Sequence, residues 1–364
     1  MSWPAWLPLR EELASLTPYG APQLPAEASL NTNENPYPPS LALQASIALA
    51  VADVAGTLNR YPDRDATQLR TELAAYINEA SATHFRSLNI WAANGSNEII
   101  QSLFLAFGSG VALGFTPSYS MHSIIANVTG TKWLSGRRDE DFTFNLNSAV
   151  ADIEAHKPTL TFITTPNNPT GDAISIGDIA ELARAVSVHG GLLVVDEAYA
   201  EFSSELSAVS HIDSHPHVVV IRTMSKAFAF AGARVGYLVA DSIVVDAMLL
   251  VRLPYHLSAI TQAAALVALD YRVELLSNVA ALVSARKALV TELHGLGLTT
   301  LPSAANFILF TGFKASSAQL WDQLLEKGVL IRDVGLLGYL RVTIGNEAEN
   351  KKFIDSLSAC LGEK

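Results

Sequence analysis

Short apolar runs that alternate with helical patterns are the feature that most limits the folds open to this chain. From about residue 90 onward, five such runs are rich in apolar and β-branched residues and predict buried strands. Between them, Ile176, Ile179, Ala183 and Val186 recur at helical spacing. This alternation predicts an α/β fold in which helices cover both faces of a mostly parallel sheet. The runs are GVALGF, TLTFITT, GGLLVVDEAY, HVVVIRTMS and VGYLVA.

The character of the sequence changes twice, which predicts three regions. Residues 1–40 are rich in proline and lack periodicity, so we expect an extended arm that packs on the small domain or on a partner subunit. Residues 41–255 hold the strand and helix alternation and are expected to form a large domain. Residues 256–364 begin with Ala/Leu-rich helical stretches and continue with mixed elements, which predicts a smaller α+β domain.

Composition argues against several classes of protein. The formal net charge of −11 is spread along the 364 residues, so we expect neither a nucleic-acid nor a membrane partner. The N-terminal segment does not resemble a signal peptide, and no apolar run reaches the ~18 residues of a membrane span. The single cysteine, Cys360, excludes an intrachain disulfide and fits a reducing compartment. We therefore expect a cytoplasmic protein.

Residues with catalytic potential fall where the predicted strands end, and such sheets bind their ligands beyond the carboxyl ends of the strands. Lys226 follows the run HVVVIR, and Arg234 lies eight residues later. A neighbouring cation and burial would both lower the lysine pKa and make its amine a nucleophile. Asp196 ends LLVVD, where a buried carboxylate needs a cationic partner.

Two loops add candidate ligand-binding residues. NGSNEII opens a helix, so the backbone amides and helix dipole at Gly95, Ser96 and Asn97 would attract an anion such as a phosphate. TTPNNPTG fixes Asn168 in a turn between a strand and a helix. Taken singly, these features also have ordinary structural explanations, as a surface lysine, a solvated acid, a helix cap or a turn. Their order along the chain carries more weight than any one of them.

That order resembles the fold-type I pyridoxal-phosphate (PLP) transferases, and within them the histidinol-phosphate aminotransferase family. The resemblance runs from about Tyr19 to Gly345 and implies PLP as cofactor, a homodimer, and no metal. It rests on NGSN, on Asn168 in TTPNNPTG, on Asp196 and Tyr199 in DEAY, on Lys226 in TMSK, and on Arg234.

The resemblance also implies a role for each matching residue. Lys226 would carry PLP as a Schiff base and move a proton between the substrate α-carbon and the cofactor C4′. Asp196 would keep the pyridine nitrogen protonated, so that the ring withdraws electrons. Asn168 and Tyr199 would hydrogen-bond the phenolic oxygen of the ring, while Tyr119 would stack on its face. The phosphate would be held by Gly95, Ser96, Asn97, Thr223, Ser225 and Arg234, with Tyr61 reaching in from a partner subunit.

Two arginines near the C-terminus point to an anionic substrate. A hairpin centred between Leu336 and Leu337 would place Arg332 directly opposite Arg341. Opposed like charges repel, and an anionic ligand would relieve that repulsion. The resemblance implies that Arg341 binds an α-carboxylate, that Arg332 binds the substrate phosphate, and that Tyr19 on the arm closes over the substrate.

The implied reaction is transamination of L-histidinol phosphate with 2-oxoglutarate, which gives imidazole acetol phosphate and L-glutamate in histidine biosynthesis. An aromatic amino-acid aminotransferase is the main alternative, and a phosphothreonine-type decarboxylase is another. A PLP-binding transcription regulator would need a DNA-binding domain ahead of Tyr19, where we see no room for one. A dinucleotide enzyme is disfavoured because GSGVALG precedes a strand rather than following one.

Two histidines depart from the commoner family pattern. His122 stands in SYSMH where an aromatic residue is frequent, and His256 stands in PYHLS where asparagine is expected. Neither is needed for the cofactor chemistry that the resemblance implies, and substrate choice is the property that they could affect. Neither has a partner at the spacing of metal ligands.

Overall fold

The computed structural model describes residues 3–4, 6–14 and 16–362, so the outermost residues of the predicted arm and small domain, with residues 5 and 15, lie outside it. The strands are β1 (Ala28–Ser29), β2 (Ile90–Ala93), β3 (Val111–Thr116), β4 (Lys132–Arg137), β5 (Leu160–Thr164), β6 (Leu192–Asp196), β7 (Val218–Thr223), β8 (Gly236–Val239), β9 (Thr299–Thr300), β10 (Phe307–Thr311), β11 (Val329–Leu330) and β12 (Leu340–Thr343). The helices are α1 (Glu11–Ala14), α2 (Leu41–Ala55), α3 (Thr67–Ser81), α4 (Ser96–Phe107), α5 (Met121–Thr129), α6 (Leu146–His156), α7 (Ile176–Ser187), α8 (Ser242–Val251), α9 (Ala259–Asp270), α10 (Arg272–Gly295), α11 (Ser317–Glu326) and α12 (Glu347–Gly362).

The large sheet has the order β2-β8-β7-β6-β5-β3-β4 in the part of the chain that the structure describes. Only β8 in this sheet runs antiparallel to its neighbours, and the other pairs are parallel. The strands predicted from the five apolar runs are all present, so the predicted α/β class with a mostly parallel sheet is confirmed. The carboxyl ends of the parallel strands consequently meet at one edge.

Side chains of the central strands alternate between two hydrophobic cores. On β7, Val218 and Val220 join one core, whereas Val219 and Ile221 join the other. The period-2 geometry of a strand sends successive side chains to opposite faces, and helices cover both of them. This arrangement explains why the runs are apolar at every position rather than at alternate ones.

The C-terminal region holds a smaller antiparallel sheet in the order β12-β10-β9, within the described residues. The predicted boundary near residue 255 falls in the loop between α8 and α9, and α9 packs against α2 and α3 of the preceding region. The terminal helix α12 buries Phe353, Leu357 and Cys360, which lie on one face at helical spacing. The division into domains stays a prediction.

The N-terminal arm is tied to the C-terminal region by backbone pairing. Strand β1 runs parallel to β11, and the amide of Leu30 donates to the carbonyl oxygen of Leu330 at 2.7 Å. The short helix α1 interrupts the predicted extended conformation and packs near α5. Across the described ranges, no helix combines the length and the apolar character that crossing a bilayer would require.

Candidate active site

A cavity of about 400 Å³ opens at the carboxyl edge of the large sheet. Asp196 and Thr223 are the last residues of β6 and β7, while Asn168 follows β5 and Tyr119 follows β3. The fold therefore gathers residues that are far apart in the sequence. The predicted site residues that line the cavity are Tyr19, Ser96, Asn97, Tyr119, Asn168, Asp196, Tyr199, Thr223, Ser225, Lys226, Arg234, Arg332 and Arg341.

One end of the cavity collects hydrogen-bond donors around the start of α4. Gly95 precedes this helix with φ +80°, and a Cβ atom there would come within 2.7 Å of Nη2 of Arg234. A Cβ atom on Gly236 would lie 2.6 Å from the backbone nitrogen of Ser96. These two glycines let the guanidinium and β8 approach the helix N-terminus closely. A helix start with an arginine against it suits an anion.

Arg234 occupies this place at a conformational cost. Its φ of 56° lies in the left-handed region, which residues other than glycine rarely adopt. Nearby, Thr223 Oγ1 donates to Ser225 Oγ at 3.0 Å, and both hydroxyls line the cavity. Strained residues concentrate at functional sites, because the surrounding structure must hold them in place. The strain thus supports a functional position for Arg234.

The buried carboxylate of Asp196 has a partner that the sequence did not reveal. Its Oδ2 hydrogen-bonds with Nε2 of His122 at 3.0 Å, and its Oδ1 accepts from the backbone nitrogen of Ala198 at 3.2 Å. Both Asp196 and His122 are only 2% exposed. The ring of Tyr119 packs edge-on against that of His122, with centroids 5.4 Å apart. His122 therefore lies beneath the floor of the cavity, behind Asp196.

Lys226 is partly buried and points at the arm. Its Nζ donates to the carbonyl oxygen of Thr32 at 2.8 Å. Burial lowers the pKa of Lys226 to about 8, and the charges of Arg341 and Arg234 add to the effect, whereas Glu34 opposes it. Arg341 contributes more than Arg234, the residue that sequence reasoning singled out. A pKa near 8 leaves part of the amine neutral, and hence nucleophilic, at physiological pH.

The predicted register of the C-terminal hairpin is confirmed. Arg332 and Arg341 form an antiparallel bridge with reciprocal backbone hydrogen bonds of 3.0 and 2.9 Å. Arg341 is buried, and its guanidinium donates to Oδ1 of Asn168 and, at 2.7 Å, to the carbonyl oxygen of Asn31. Burial lowers the pKa of Arg341 to about 10, and Arg332 adds to the lowering. Within the described residues, Nε of Arg341 has no hydrogen-bond partner.

The arm forms one wall of the cavity through interactions that sequence reasoning missed. Asn33 donates from Nδ2 to the phenolic oxygen of Tyr199 at 2.8 Å. Its Oδ1 accepts from Thr343 Oγ1 at 3.0 Å, and its carbonyl oxygen accepts from Asn306 Nδ2 at 3.1 Å. The proline-rich composition of residues 1–40 predicts an extended arm. Nothing in that composition specifies which distant residues the arm touches.

Tyr61 and His256 lie apart from the cavity, whereas Gly95 and His122, also outside its lining, lie directly behind lining residues. Tyr61 is 79% exposed and stacks on Tyr255, with ring centroids 4.4 Å apart, so it does not enter the cavity of its own subunit. His256 stacks on Trp91 at 5.6 Å and hydrogen-bonds to the carbonyl oxygen of Ala92 at 2.9 Å. It too lies outside the lining.

Comparison with known proteins agrees with this geometry. The family model for aminotransferase class I and II matches residues 27–357. Histidinol-phosphate aminotransferase of Mycolicibacterium vanbaalenii is 53% identical over 98% of this chain and 96% of its own, and that of Nocardia farcinica is 53% identical over 96% and 90%. The crystal structure of histidinol-phosphate aminotransferase from Sinorhizobium meliloti in complex with pyridoxal-5'-phosphate aligns over 98% of both chains with a TM-score of 0.86, at 23% identity.

The chain therefore belongs to the class I and II aminotransferases, with the fold that the sequence predicts. Curated relatives that share about half of its residues across nearly their whole length further assign it to the histidinol-phosphate aminotransferase family. The resemblance drawn from its motifs is thereby confirmed.

Proposed function

We propose that this protein transfers the amino group of L-histidinol phosphate to 2-oxoglutarate with PLP as cofactor, as one step of histidine biosynthesis. The observation that carries the proposal is the meeting, in one cavity, of a lysine with a lowered pKa, a buried aspartate and the Arg332–Arg341 pair. The names of the curated relatives favour histidinol phosphate over the aromatic amino acids of the alternative.

The residues present fit PLP on three independent points. Gly95 and Gly236 let Arg234 and β8 lie close against the start of α4, so that the guanidinium and the helix N-terminus together would attract a phosphate. Asp196 provides a buried carboxylate for a protonated ring nitrogen, and this charge pair would offset its cost of burial. Lys226 lines the same cavity with its amine partly neutral. Ser96, Asn97, Thr223 and Ser225 would complete the phosphate site, in line with the sequence prediction.

The protein residues have separable tasks in the reaction. When bound, PLP supplies an electron sink that stabilises negative charge at the donor α-carbon. Lys226 would hold the cofactor and then carry a proton to and from that carbon. Asp196 would keep the proton on the ring nitrogen, and His122 holds the Asp196 carboxylate in place. Asn168 and Tyr199 would orient the ring by hydrogen bonds, and Tyr119 would cover one of its faces.

The two arginines account for the anionic end of the substrate. A phosphate monoester accepts several charge-assisted hydrogen bonds, and both Arg332 and Arg341 line the cavity with guanidinium groups that could donate them. In the second half of the reaction, the α-carboxylate of glutamate would bind to Arg341. Tyr19 lines the cavity from the arm while remaining 49% exposed, which suits a residue that closes over a bound substrate.

We also propose a homodimer and a cytoplasmic location. The exposed, stacked rings of Tyr61 and Tyr255 are an apolar surface of the kind that protein interfaces cover. Tyr61 in a second subunit would then reach the phosphate end of the first subunit's cavity. The sequence has a single cysteine, Cys360, which is buried, and such sparse use of cysteine fits a reducing compartment.

Replacement of the lysine tests the chemistry directly. Lys226→Ala should abolish both the absorbance band of lysine-linked PLP and transamination of histidinol phosphate. Lys351→Ala is the matched control, because Lys351 lies on the surface of α12 and pairs only with Asp355 at 2.7 Å among the described residues. Normal turnover in the Lys226 variant would refute the proposed function.

A further inference from the structure

One carboxylate that lines the cavity, that of Glu34, has no role in the proposed transamination. Among the described residues that line it, only Asp196 and Glu34 are acidic. Asp196 is buried and engaged by His122 and by the backbone of Ala198. Glu34 is exposed, and its Oε2 accepts a hydrogen bond from Thr32 Oγ1 at 2.9 Å. A carboxylate can accept several hydrogen bonds, so Glu34 has acceptor capacity to spare for a ligand.

The path of the arm places Glu34 relative to Arg341 and Lys226. The carbonyl oxygen of Asn31 contacts the buried guanidinium of Arg341, and that of Thr32 contacts the amine of Lys226. The side chain of Asn35 reaches the carbonyl oxygen of Ala227 at 3.5 Å, just beyond the lysine. The segment thus runs from the anion-binding arginine, past the reactive amine, to Glu34.

A donor bound along this path would use its groups in the same order. Its phosphate would meet the arginines and its amino group would meet Lys226, which would leave the imidazole ring for the side where Glu34 lies. An imidazole offers an N–H donor at any pH of interest and becomes a cation near pH 6.5. The acceptor, 2-oxoglutarate, would instead bring its second carboxylate to that side.

We propose that Glu34 is a specificity-determining residue, whose carboxylate accepts a hydrogen bond from the imidazole ring of the donor and disfavours the second carboxylate of the acceptor. The inference rests on the proposed function and names the residue that distinguishes the two substrates of one cavity. A ligand without the ring N–H would leave this acceptor unpaired in the occupied cavity, which disfavours that ligand. The negative charge of Glu34 would also repel the second carboxylate of 2-oxoglutarate, so the same residue would favour one substrate and disfavour the other.

Single-turnover half-reactions of the holoenzyme test this inference. Glu34→Gln keeps an amide acceptor but loses the negative charge, a difference of about 1 kcal/mol, so kcat/KM for histidinol phosphate should fall about fivefold more than kcat/KM for phenylalanine, which has no ring N–H. This selective loss should be larger at pH 6 than at pH 8, because the imidazole is cationic only at the lower pH. With the pyridoxamine form of the enzyme, kcat/KM for 2-oxoglutarate should not fall, and should rise if repulsion is relieved.

Comparison between substrates removes indirect effects of the substitution. Glu34 raises the pKa of Lys226, so its loss would alter every donor reaction together and cancel in the ratio. Glu27→Gln is the matched control, because Glu27 lies on the same arm outside the cavity lining and pairs with Lys352 at the surface. It should leave all three half-reactions unchanged.

The half-reactions distinguish failure of the role of Glu34 from failure of the proposed function. Equal losses on histidinol phosphate and phenylalanine, in a wild-type enzyme active on both, would overturn the role of Glu34 alone. A parallel loss on 2-oxoglutarate would do the same. A wild-type enzyme that reacts with phenylalanine but not with histidinol phosphate would overturn the proposed function, and this inference with it.

Discussion

Arg332→Ala should weaken the reaction of phosphorylated donors while leaving the fold intact or slightly more stable. The side chain is half-buried and lines the cavity, whereas the hairpin is held by backbone hydrogen bonds of 3.0 and 2.9 Å that alanine preserves. The substitution also removes a positive charge that lowers the pKa of Arg341. Activity and stability should therefore move in opposite directions.

The expected magnitudes depend on the kind of hydrogen bond that the substitution removes. A hydrogen bond to a charged group contributes about 1.5–3 kcal/mol, so kcat/KM for histidinol phosphate should fall about 10- to 150-fold. Phenylalanine carries no phosphate and should lose well under tenfold. Relief of repulsion between opposed like charges should raise the free energy of unfolding by about 0.2–1 kcal/mol at low salt.

Stopped-flow half-reactions with each donor, together with denaturant unfolding of the apoenzyme, measure these quantities. Arg332→Lys is the matched control, because it keeps the charge and the repulsion but loses the bidentate guanidinium. It should fall between wild type and the alanine variant on histidinol phosphate. Equal losses on both donors, or a marked loss of stability, would refute the assignment of Arg332 to the phosphate.

Three further predictions concern other parts of the site. His122→Phe removes the side-chain partner of buried Asp196, so turnover should fall about tenfold with little change in KM; unchanged turnover would contradict the positioning role of His122. Capture of PLP by the apoenzyme should accelerate as the pH rises through about 8, because the lowered pKa of Lys226 sets the fraction of neutral amine; acceleration confined to pH values near 10.5 would show an unperturbed lysine. Equal mixing of inactive Lys226→Ala and Tyr61→Ala chains should restore activity through hybrid dimers, and no recovery would argue against a shared site.

Sequence reasoning locates the site because its residues follow strands that can be recognised one by one. Asp196, Thr223 and Asn168 each stand at or just after the end of an apolar run, and a parallel sheet necessarily brings such ends together. The hairpin register follows from symmetry about its centre, which opposes Arg332 to Arg341. Both inferences use local pattern and one general rule of topology.

The remaining features depend on long-range interactions that no local pattern encodes. Asn33 meets Tyr199 across 166 positions of sequence, and His122 meets Asp196 across 74. Strand β4 (Lys132–Arg137) lies at an edge of the sheet and exposes polar side chains. It is not predicted from the sequence, because its residues form no apolar run. The spacing of Tyr119 and His122, three residues apart at a helix start, is the one signal that could have placed both rings at the same site.

In the function proposed for this protein, Lys226 moves the proton that accompanies transfer of an amino group to PLP, and Arg332 and Arg341 hold the phosphate of the donor. The most direct test mixes the purified PLP enzyme with L-histidinol phosphate alone and follows the cofactor spectrum in a single turnover. We expect complete conversion to the pyridoxamine form, reversed by 2-oxoglutarate, with a higher kcat/KM for histidinol phosphate than for phenylalanine. Conversion by phenylalanine but not by histidinol phosphate would contradict this assignment.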